Sequence, residues 1–284
     1  MWVDRSGVSR PALKDEREFS FVRISPDGRQ VAVNANTGEN SDIWVFDVGA
    51  EALTPVTNVG SARNPVWSVD GKRIFFVSTQ SGCSGIWQQP VDGSGPATKV
   101  ADTPHNAWNL DVAPDGQRVV WNAIYDGTFN LETMALDSTR ERRDISASRT
   151  ALESNGRVSP DGKFVAYTSD ESSRQEIYVR AFPDGGSRIQ VSVEGGTRAV
   201  WSRDGRRLYY WSQGRIIAVT LARDPMLRVV SREVLFKGDY DREFDVSPDG
   251  SRFLMIEPRG SEISLVVIPN WLTELRRLTS VPSR

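Results

Sequence analysis

The residues able to do acid–base or metal chemistry are few. The chain has one histidine, His105, in Asp102-Thr103-Pro104-His105-Asn106, and one cysteine, Cys83, in Ser81-Gly82-Cys83-Ser84-Gly85. Nucleophilic catalysis needs a nucleophile beside a base that a third group orients. A lone loop histidine supplies none of that arrangement, and no Gly-x-Ser-x-Gly elbow occurs. Transition-metal sites draw on several His or Cys ligands, which this chain cannot provide. Cys83 can form no internal disulfide, and no neighbouring His or Cys marks it as a reactive thiolate. No catalytic residue, metal or cofactor is therefore expected. With 35 Lys and Arg against 37 Asp and Glu, the formal net charge is -2, which argues against a nucleic-acid binder, since those carry a basic excess.

What remains is the chemistry of carboxylates, amides and guanidinium groups, and these recur at fixed places. Six residues ahead of the Asp of a repeated tetrapeptide stand Phe21, Asn64, Asn109, Asn155, Arg198 and Glu243. One residue earlier stand Ser20, Arg63, Trp108, Ser154, Thr197 and Arg242, and two residues later Arg23, Val66, Asp111, Arg157, Val200 and Asp245. The last set suits mutual salt-bridging around a wet channel, with Arg23 and Arg157 paired to Asp111 and Asp245. The first two sets suit recognition. Arg and Trp are enriched at binding hot spots, and an Arg fork matches a carboxylate, so an anionic peptide or an acidic sugar fits. Asn and Glu can also hold a hard cation such as calcium, but the adjacent Arg charges would repel it. The candidate partner-binding residues are Arg63, Asn64, Trp108, Asn109, Asn155, Arg198, Arg242 and Glu243.

The elements that must position these residues come from an internal repeat. The tetrapeptide appears as Ser25-Pro26-Asp27-Gly28, Ser68-Val69-Asp70-Gly71, Ala113-Pro114-Asp115-Gly116, Ser159-Pro160-Asp161-Gly162, Ser202-Arg203-Asp204-Gly205 and Ser247-Pro248-Asp249-Gly250. Its Asp residues are 43, 45, 46, 43 and 45 apart, the period of a four-stranded propeller blade. Pro presets the corner, Asp bonds its own backbone and Gly supplies positive φ. Short β-branched or aromatic runs flank each turn, such as Ala199-Val200-Trp201 before and Arg73-Ile74-Phe75-Phe76-Val77 after. Third strands follow, including Ile43-Trp44-Val45-Phe46, Ile177-Tyr178-Val179 and Ser264-Leu265-Val266-Val267. The aromatic residues Trp44, Trp67, Trp87, Tyr178 and Trp201 are expected to pack between blades.

The predicted fold is all-β: a six-bladed β-propeller of four-stranded antiparallel blades over residues 1–270, followed by a short helical tail, 271–284. The last repeat is expected to supply its first three strands. Trp2-Val3-Asp4-Arg5-Ser6-Gly7 mimics a third strand and Pro11-Ala12-Leu13 a fourth, so the N-terminus is expected to complete the sixth blade with an outer strand and remove an exposed edge. No apolar run approaches a membrane-crossing helix, and the charged opening Met1-Trp2-Val3-Asp4-Arg5 does not read as a signal peptide. A soluble monomer is expected.

The Ser-Pro-Asp-Gly turns with Ile-Trp or Ile-Tyr strands resemble the TolB-like propeller repeats of bacteria. Trp2–Gly7, Glu176–Pro183, Val200–Gly205 and the Asn270–Leu278 segment are similar to the C-terminal propellers of membrane-bound bacterial serine/threonine kinases. That resemblance implies an extracytoplasmic sensor or interaction module. The kinase motifs themselves are absent from this chain. The expected function is thus non-catalytic protein or peptide recognition. The competing expectations are a carbohydrate- or lactone-acting propeller using carboxylates and Asn around the channel, and a purely structural propeller beside a separate catalytic domain.

Overall fold

The structure, a computed structural model, describes residues 1–258 apart from 14–16, 104, 126, 147, 149 and 225. These residues form six four-stranded antiparallel sheets. Blade 1 holds strands Glu18–Ile24, Gln30–Thr37, Asn40–Asp47 and Ala52–Pro55. Blade 2 holds Arg63–Trp67, Arg73–Ser78, Gly85–Pro90 and Thr98–Asp102. Blade 3 holds Ala107–Val112, Arg118–Tyr125, Thr128–Ala135 and Arg142–Ser146. Blade 4 holds Glu153–Val158, Phe164–Ser169, Glu176–Ala181 and Arg188–Gln190. Blade 5 holds Thr197–Trp201, Arg207–Ser212, Arg215–Ala222 and Arg228–Lys237. The expected six-bladed architecture is present.

Blade 6 is built from both ends of the chain. Its inner strands are Phe244–Val246 and Arg252–Met255, its third is Trp2–Asp4 and its fourth Ser9–Arg10. Trp2, Val3 and Asp4 pair directly with Leu254, Phe253 and Arg252. The N-terminus therefore supplies two strands rather than one, and the outer one is Ser9–Arg10 rather than Pro11-Ala12-Leu13. The third position, expected for Ser264–Val267, is taken by Trp2–Asp4. That C-terminal stretch and the predicted helical tail lie outside the described residues.

The six tetrapeptides fold as the sequence dictates. Each Gly has φ between 65° and 76° and donates its N–H to the carbonyl of the first turn residue at 2.8–2.9 Å. Where that residue is Ser, its hydroxyl bonds the Asp carboxylate, as in Ser25–Asp27 at 2.6 Å and Ser202–Asp204 at 2.7 Å. The Ser oxygen also receives the N–H of the next strand, as Gln30 does at 2.9 Å. These bonds hold Asp27, Asp70, Asp204 and Asp249 below the ordinary carboxylate pKa, Asp249 at about 2. Blade 3 carries Ala113 in place of Ser, so there the Asp115 carboxylate has no hydroxyl partner in the turn and accepts the Gln117 N–H at 2.9 Å.

Apolar side chains between neighbouring blades form the core. Trp121, Tyr167, Tyr209 and Phe76 are fully buried there. Trp67 donates its indole N–H to the Arg23 carbonyl of the preceding blade at 2.9 Å, and Trp201 does the same to Arg157 at 3.0 Å. These two tryptophans thus lock blade 2 to blade 1 and blade 5 to blade 4. The pairing is part of a wider regularity. The turn residues Asp27, Asp70 and Asp115 recur 134 residues later as Asp161, Asp204 and Asp249. The inner positions read Arg23, Val66, Asp111 and then Arg157, Val200, Asp245, so blades 1–3 and 4–6 repeat each other about a pseudo-twofold axis along the channel.

Candidate functional site at the channel mouth

The candidate residues sit at the start of the innermost strands, at the end opposite the Asp-Gly turns. In blades 1 to 5 the first strand carries a β-bulge there, with the register shifting between Ser20 and Arg23, Arg63 and Val66, Trp108 and Asp111, Ser154 and Arg157, and Thr197 and Val200. The first bulged residue is left-handed in every case: Phe21, Asn64, Asn109, Asn155 and Arg198 have φ between 50° and 60°. Asn enters this region at lower cost than other non-glycine residues. Three of the asparagines that the sequence suggested for recognition are therefore also what the backbone requires. The bulge re-aims these side chains toward the axis. Blade 6 has no bulge in its first strand, and Glu243 stands just before it.

These side chains satisfy one another across the channel. Arg198 of blade 5 donates to the Oδ1 atoms of Asn109, at 3.0 Å, and of Asn155. It pairs with Glu243 at 2.6 Å, and its guanidinium lies 5.6 Å from the Phe21 ring centre. One cation thus bridges blades 1, 3, 4 and 6. Beneath it, Arg157 pairs with Asp111 at 3.3 Å, as the sequence suggested. Arg23, however, faces Glu243 at 3.8 Å and bonds the Val22 carbonyl at 2.7 Å. Asp245 is occupied instead by the N–H groups of Ile24 and Val246, both at 2.8 Å. Burial, then the charge of Arg157, pulls Arg23 down to about 10, against the opposing pull of Glu243, Asp245 and Asp111. Burial likewise raises Asp111, with Arg157 resisting. The cavity left among these residues is about 10 Å³, room for about one water.

The remaining candidates separate. Asn64 is 2% exposed, and its N–H donates to Asn34 Oδ1 at 2.9 Å. Its own amide makes no hydrogen bond with a described residue, so it does not join the network. Arg63 and Trp108 are half-buried and stack across blades 2 and 3, the guanidinium 5.4 Å from the ring centre. Arg242 is exposed. Among the described residues no group of three or more His, Cys, Asp or Glu is placed to hold a metal ion. Phe21 was absent from the candidate residues although it contacts Arg198. The signal that would have singled it out is the 134-residue offset, which sets Phe21 against Asn155, Asn64 against Arg198 and Asn109 against Glu243, and so exposes the ring as the place where the halves diverge.

Known proteins share this architecture. A putative TolB from Agrobacterium tumefaciens superposes with a TM-score of 0.71 at 18% identity, covering 89% of this chain and 94% of that one. An oligogalacturonate lyase in complex with manganese superposes with a TM-score of 0.61 at 13% identity, over 84% of this chain and 70% of that one. At such identities both share the fold alone. In sequence, the Tol-Pal system protein TolB of Anaeromyxobacter dehalogenans is 29% identical over 112 residues, which is 39% of this chain and only 25% of that protein. The family model for the TolB beta propeller domain, PD40, matches residues 19–140 and 94–270. Bladed repeats, turn chemistry and family match all agree, and the chain belongs to the TolB β-propeller (PD40) family.

Proposed function

We propose that this chain is a non-catalytic recognition module that binds a protein or peptide segment at the channel mouth. The observation that carries this reading is how little space Arg198 and its partners leave among themselves. Pockets for small-molecule substrates run to roughly 300–1,000 Å³, and the space beneath Arg198 is about 10 Å³. A sugar ring or a lactone has no room there, and each carboxylate of the axial network is already ion-paired or hydrogen-bonded within the chain. What the mouth offers is a surface: the Arg63–Trp108 stack, the exposed Arg242 and the rim of Arg198. Pre-stacked Arg and Trp side chains lose little entropy on binding, and guanidinium forks favour carboxylates, so the preferred ligand is an acidic peptide segment. The partial match to a Tol-Pal system protein supports a protein partner. The resemblance to kinase-linked propellers extends the proposal to a sensory role in a larger signalling protein.

The test compares wild type with an Arg63/Trp108/Arg242→Ala variant in a cross-linked capture from source-cell envelope and lysate. Arg198 is left intact so that the channel network survives. A partner held by wild type and lost at least about tenfold by the variant, about 1.4 kcal/mol, supports the mouth as the binding face. Equal capture removes this face from consideration. Lyase or lactonase turnover by the purified chain would favour the enzymatic reading instead.

A further inference from the structure

At the bulges the backbone asks for a residue that tolerates left-handed φ, and three blades supply Asn. The two exceptions are Phe21, with φ of 52°, and Arg198, with φ of 57°. They lie together, the guanidinium 5.6 Å from the ring centre. A bulky residue held in this region against its preference marks a place where the side chain, not the backbone, decides. The bonds of Arg198 show what that side chain has to spare. Its contacts with Asn109, Asn155 and Glu243 all end on one nitrogen, Nη1. The other edge of the fork, Nε and Nη2, donates to no described residue, and the side chain is 25% exposed. Charge points the same way. Three guanidinium groups, Arg23, Arg157 and Arg198, are ion-paired with only two carboxylates, Glu243 and Asp111. Glu243 is shared, 2.6 Å from Arg198 and 3.8 Å from Arg23, and the Nε of buried Arg23 makes no hydrogen bond with a described residue. Asp245 gives both its oxygens to backbone N–H groups. The network is thus short of one ion-pair partner.

We propose that Arg198 holds one carboxylate of the partner segment, an Asp or Glu side chain, on its Nε and Nη2 edge. The assignment rests on the channel-mouth reading and names the group recognised there. A carboxylate meets such an edge with two parallel N–H bonds. Because Nη1 is already pinned by three acceptors, the fork is oriented before the ligand arrives and little rotamer entropy is lost on binding. A phosphate also matches a fork, but its second charge would face Glu243 on the same guanidinium, so a monoanion is favoured.

The test titrates the full chain with blocked tripeptides at constant ionic strength and reads the Arg Nε–H signals by NMR. Acetyl-Gly-Asp-Gly-amide is expected to shift the Arg198 Nε–H saturably, and acetyl-Gly-Asn-Gly-amide to leave it in place. The Nε–H of Arg157, deeper in the channel, should not follow. An Arg198→Lys variant keeps the charge and loses the fork, and is expected to bind the Asp peptide at least about tenfold more weakly. Equal binding by that variant would mean that charge alone acts and would overturn the proposal. Tighter binding of the phosphoserine tripeptide than of the Asp one would also overturn it, as would an Arg198 signal that answers the Asp and Asn peptides alike. The titration of the unaltered chain decides the matter even if Arg198→Lys folds poorly. It also separates the two readings. If partner capture depends on Arg63, Trp108 and Arg242 while the Asp peptide leaves Arg198 unmoved, only the Arg198 assignment falls. If Arg198 takes the Asp peptide and capture is indifferent to those three residues, the carboxylate site stands and the wider binding face falls.

Discussion

Blades 1–3 and blades 4–6 are built from one pattern and differ at one level of the channel. On the inner level the halves match in residue type and in the bond that each Asp makes to the backbone of the next blade. Arg23, Val66 and Asp111 are repeated as Arg157, Val200 and Asp245. Asp111 receives the Val158 N–H and Asp245 the Ile24 N–H, both at 2.8 Å. One layer up, at the bulges, Phe21, Asn64 and Asn109 face Asn155, Arg198 and Glu243; the backbone of Asn64 and of Asn155 is held alike, by Asn34 and Asn122 at 2.9 Å, but the side-chain bonds that Arg198 makes to Asn109, Asn155 and Glu243 have no counterpart at Asn64. Outside the bulges the halves differ again, Arg63 and Trp108 against Thr197 and Arg242. A layer that keeps its bonds through a duplication is holding the blades together, whereas a layer that changes them is free to take on recognition. This separation is why the proposed binding face is placed at the mouth rather than in the channel.

The largest expected effect tests how far the inner level is symmetric. Asp111 and Asp245 both cap a strand of the next blade, but only Asp111 also holds an arginine, Arg157. Asp111→Asn leaves Arg157 without its buried partner and should cost about 3 kcal/mol. Asp245→Asn gives up a backbone bond while Arg23 keeps Glu243, and should cost about 1 kcal/mol. Urea unfolding of the two variants measures the difference. Equal costs would show that the pseudo-twofold extends to energetics and that the Arg157–Asp111 pair adds nothing.

The next effect concerns the level that diverges. Arg198→Asn makes blade 5 like blade 2 at the bulge, where Asn64 stands. It removes the cation that bridges Asn109, Asn155 and Glu243, leaves Glu243 facing only Arg23 at 3.8 Å, and should cost about 2 kcal/mol. Some of this loss is offset by easier left-handed geometry, since Asn accepts positive φ more readily than Arg. A double-mutant cycle with Glu243→Gln isolates the ion pair, and a coupling of about 1 kcal/mol is expected. A coupling near zero would mean that amide bonds alone close the channel.

The fold was legible because its signals are local. Asp-Gly turns at a fixed period and two-residue alternation specify hairpins whatever the rest of the chain does, and all six turns formed with the bonds expected of them. The order of strands in blade 6 was less legible, because Trp2–Asp4 and Ser264–Val267 both carry a third-strand pattern and only long-range pairing decides between them. The candidate site was legible as a set of positions and not as a network. Repeat alignment brought Asn109, Asn155, Arg198 and Glu243 to one ring, but Arg198 and Asn109 are 89 residues apart, and which of them bond depends on distances across the axis. Nor did residue type disclose the bulges. Asn suggests a left-handed residue at three positions, while Phe21 and Arg198 hold the same conformation against their own preference.

The smallest effect sharpens the comparison by making the halves more alike. Blade 3 turns on Ala113 where its counterpart in blade 6 has Ser247. Ser247 bonds Asp249 at 2.6 Å and receives the Arg252 N–H at 3.1 Å. Ala113 is 2% exposed, in the same setting as Ser247 at 4%, so Ala113→Ser can place its hydroxyl between Asp115 and the Arg118 N–H without moving the turn. A gain of about 0.5–1 kcal/mol is expected, one net hydrogen bond. Its pH dependence identifies the cause. The Ser247 and Ser251 bonds lower Asp249 from the usual 3.8 to about 2, so the stability they confer is present above pH 3.8 and is lost as pH falls through about 2. If the new serine acts in the same way as Ser247, the advantage of Ala113→Ser is full at pH 6 and shrinks between pH 4 and pH 2. A gain that stays constant to pH 2 would attribute the effect to the backbone bond alone and leave the carboxylate outside the turn's energetics.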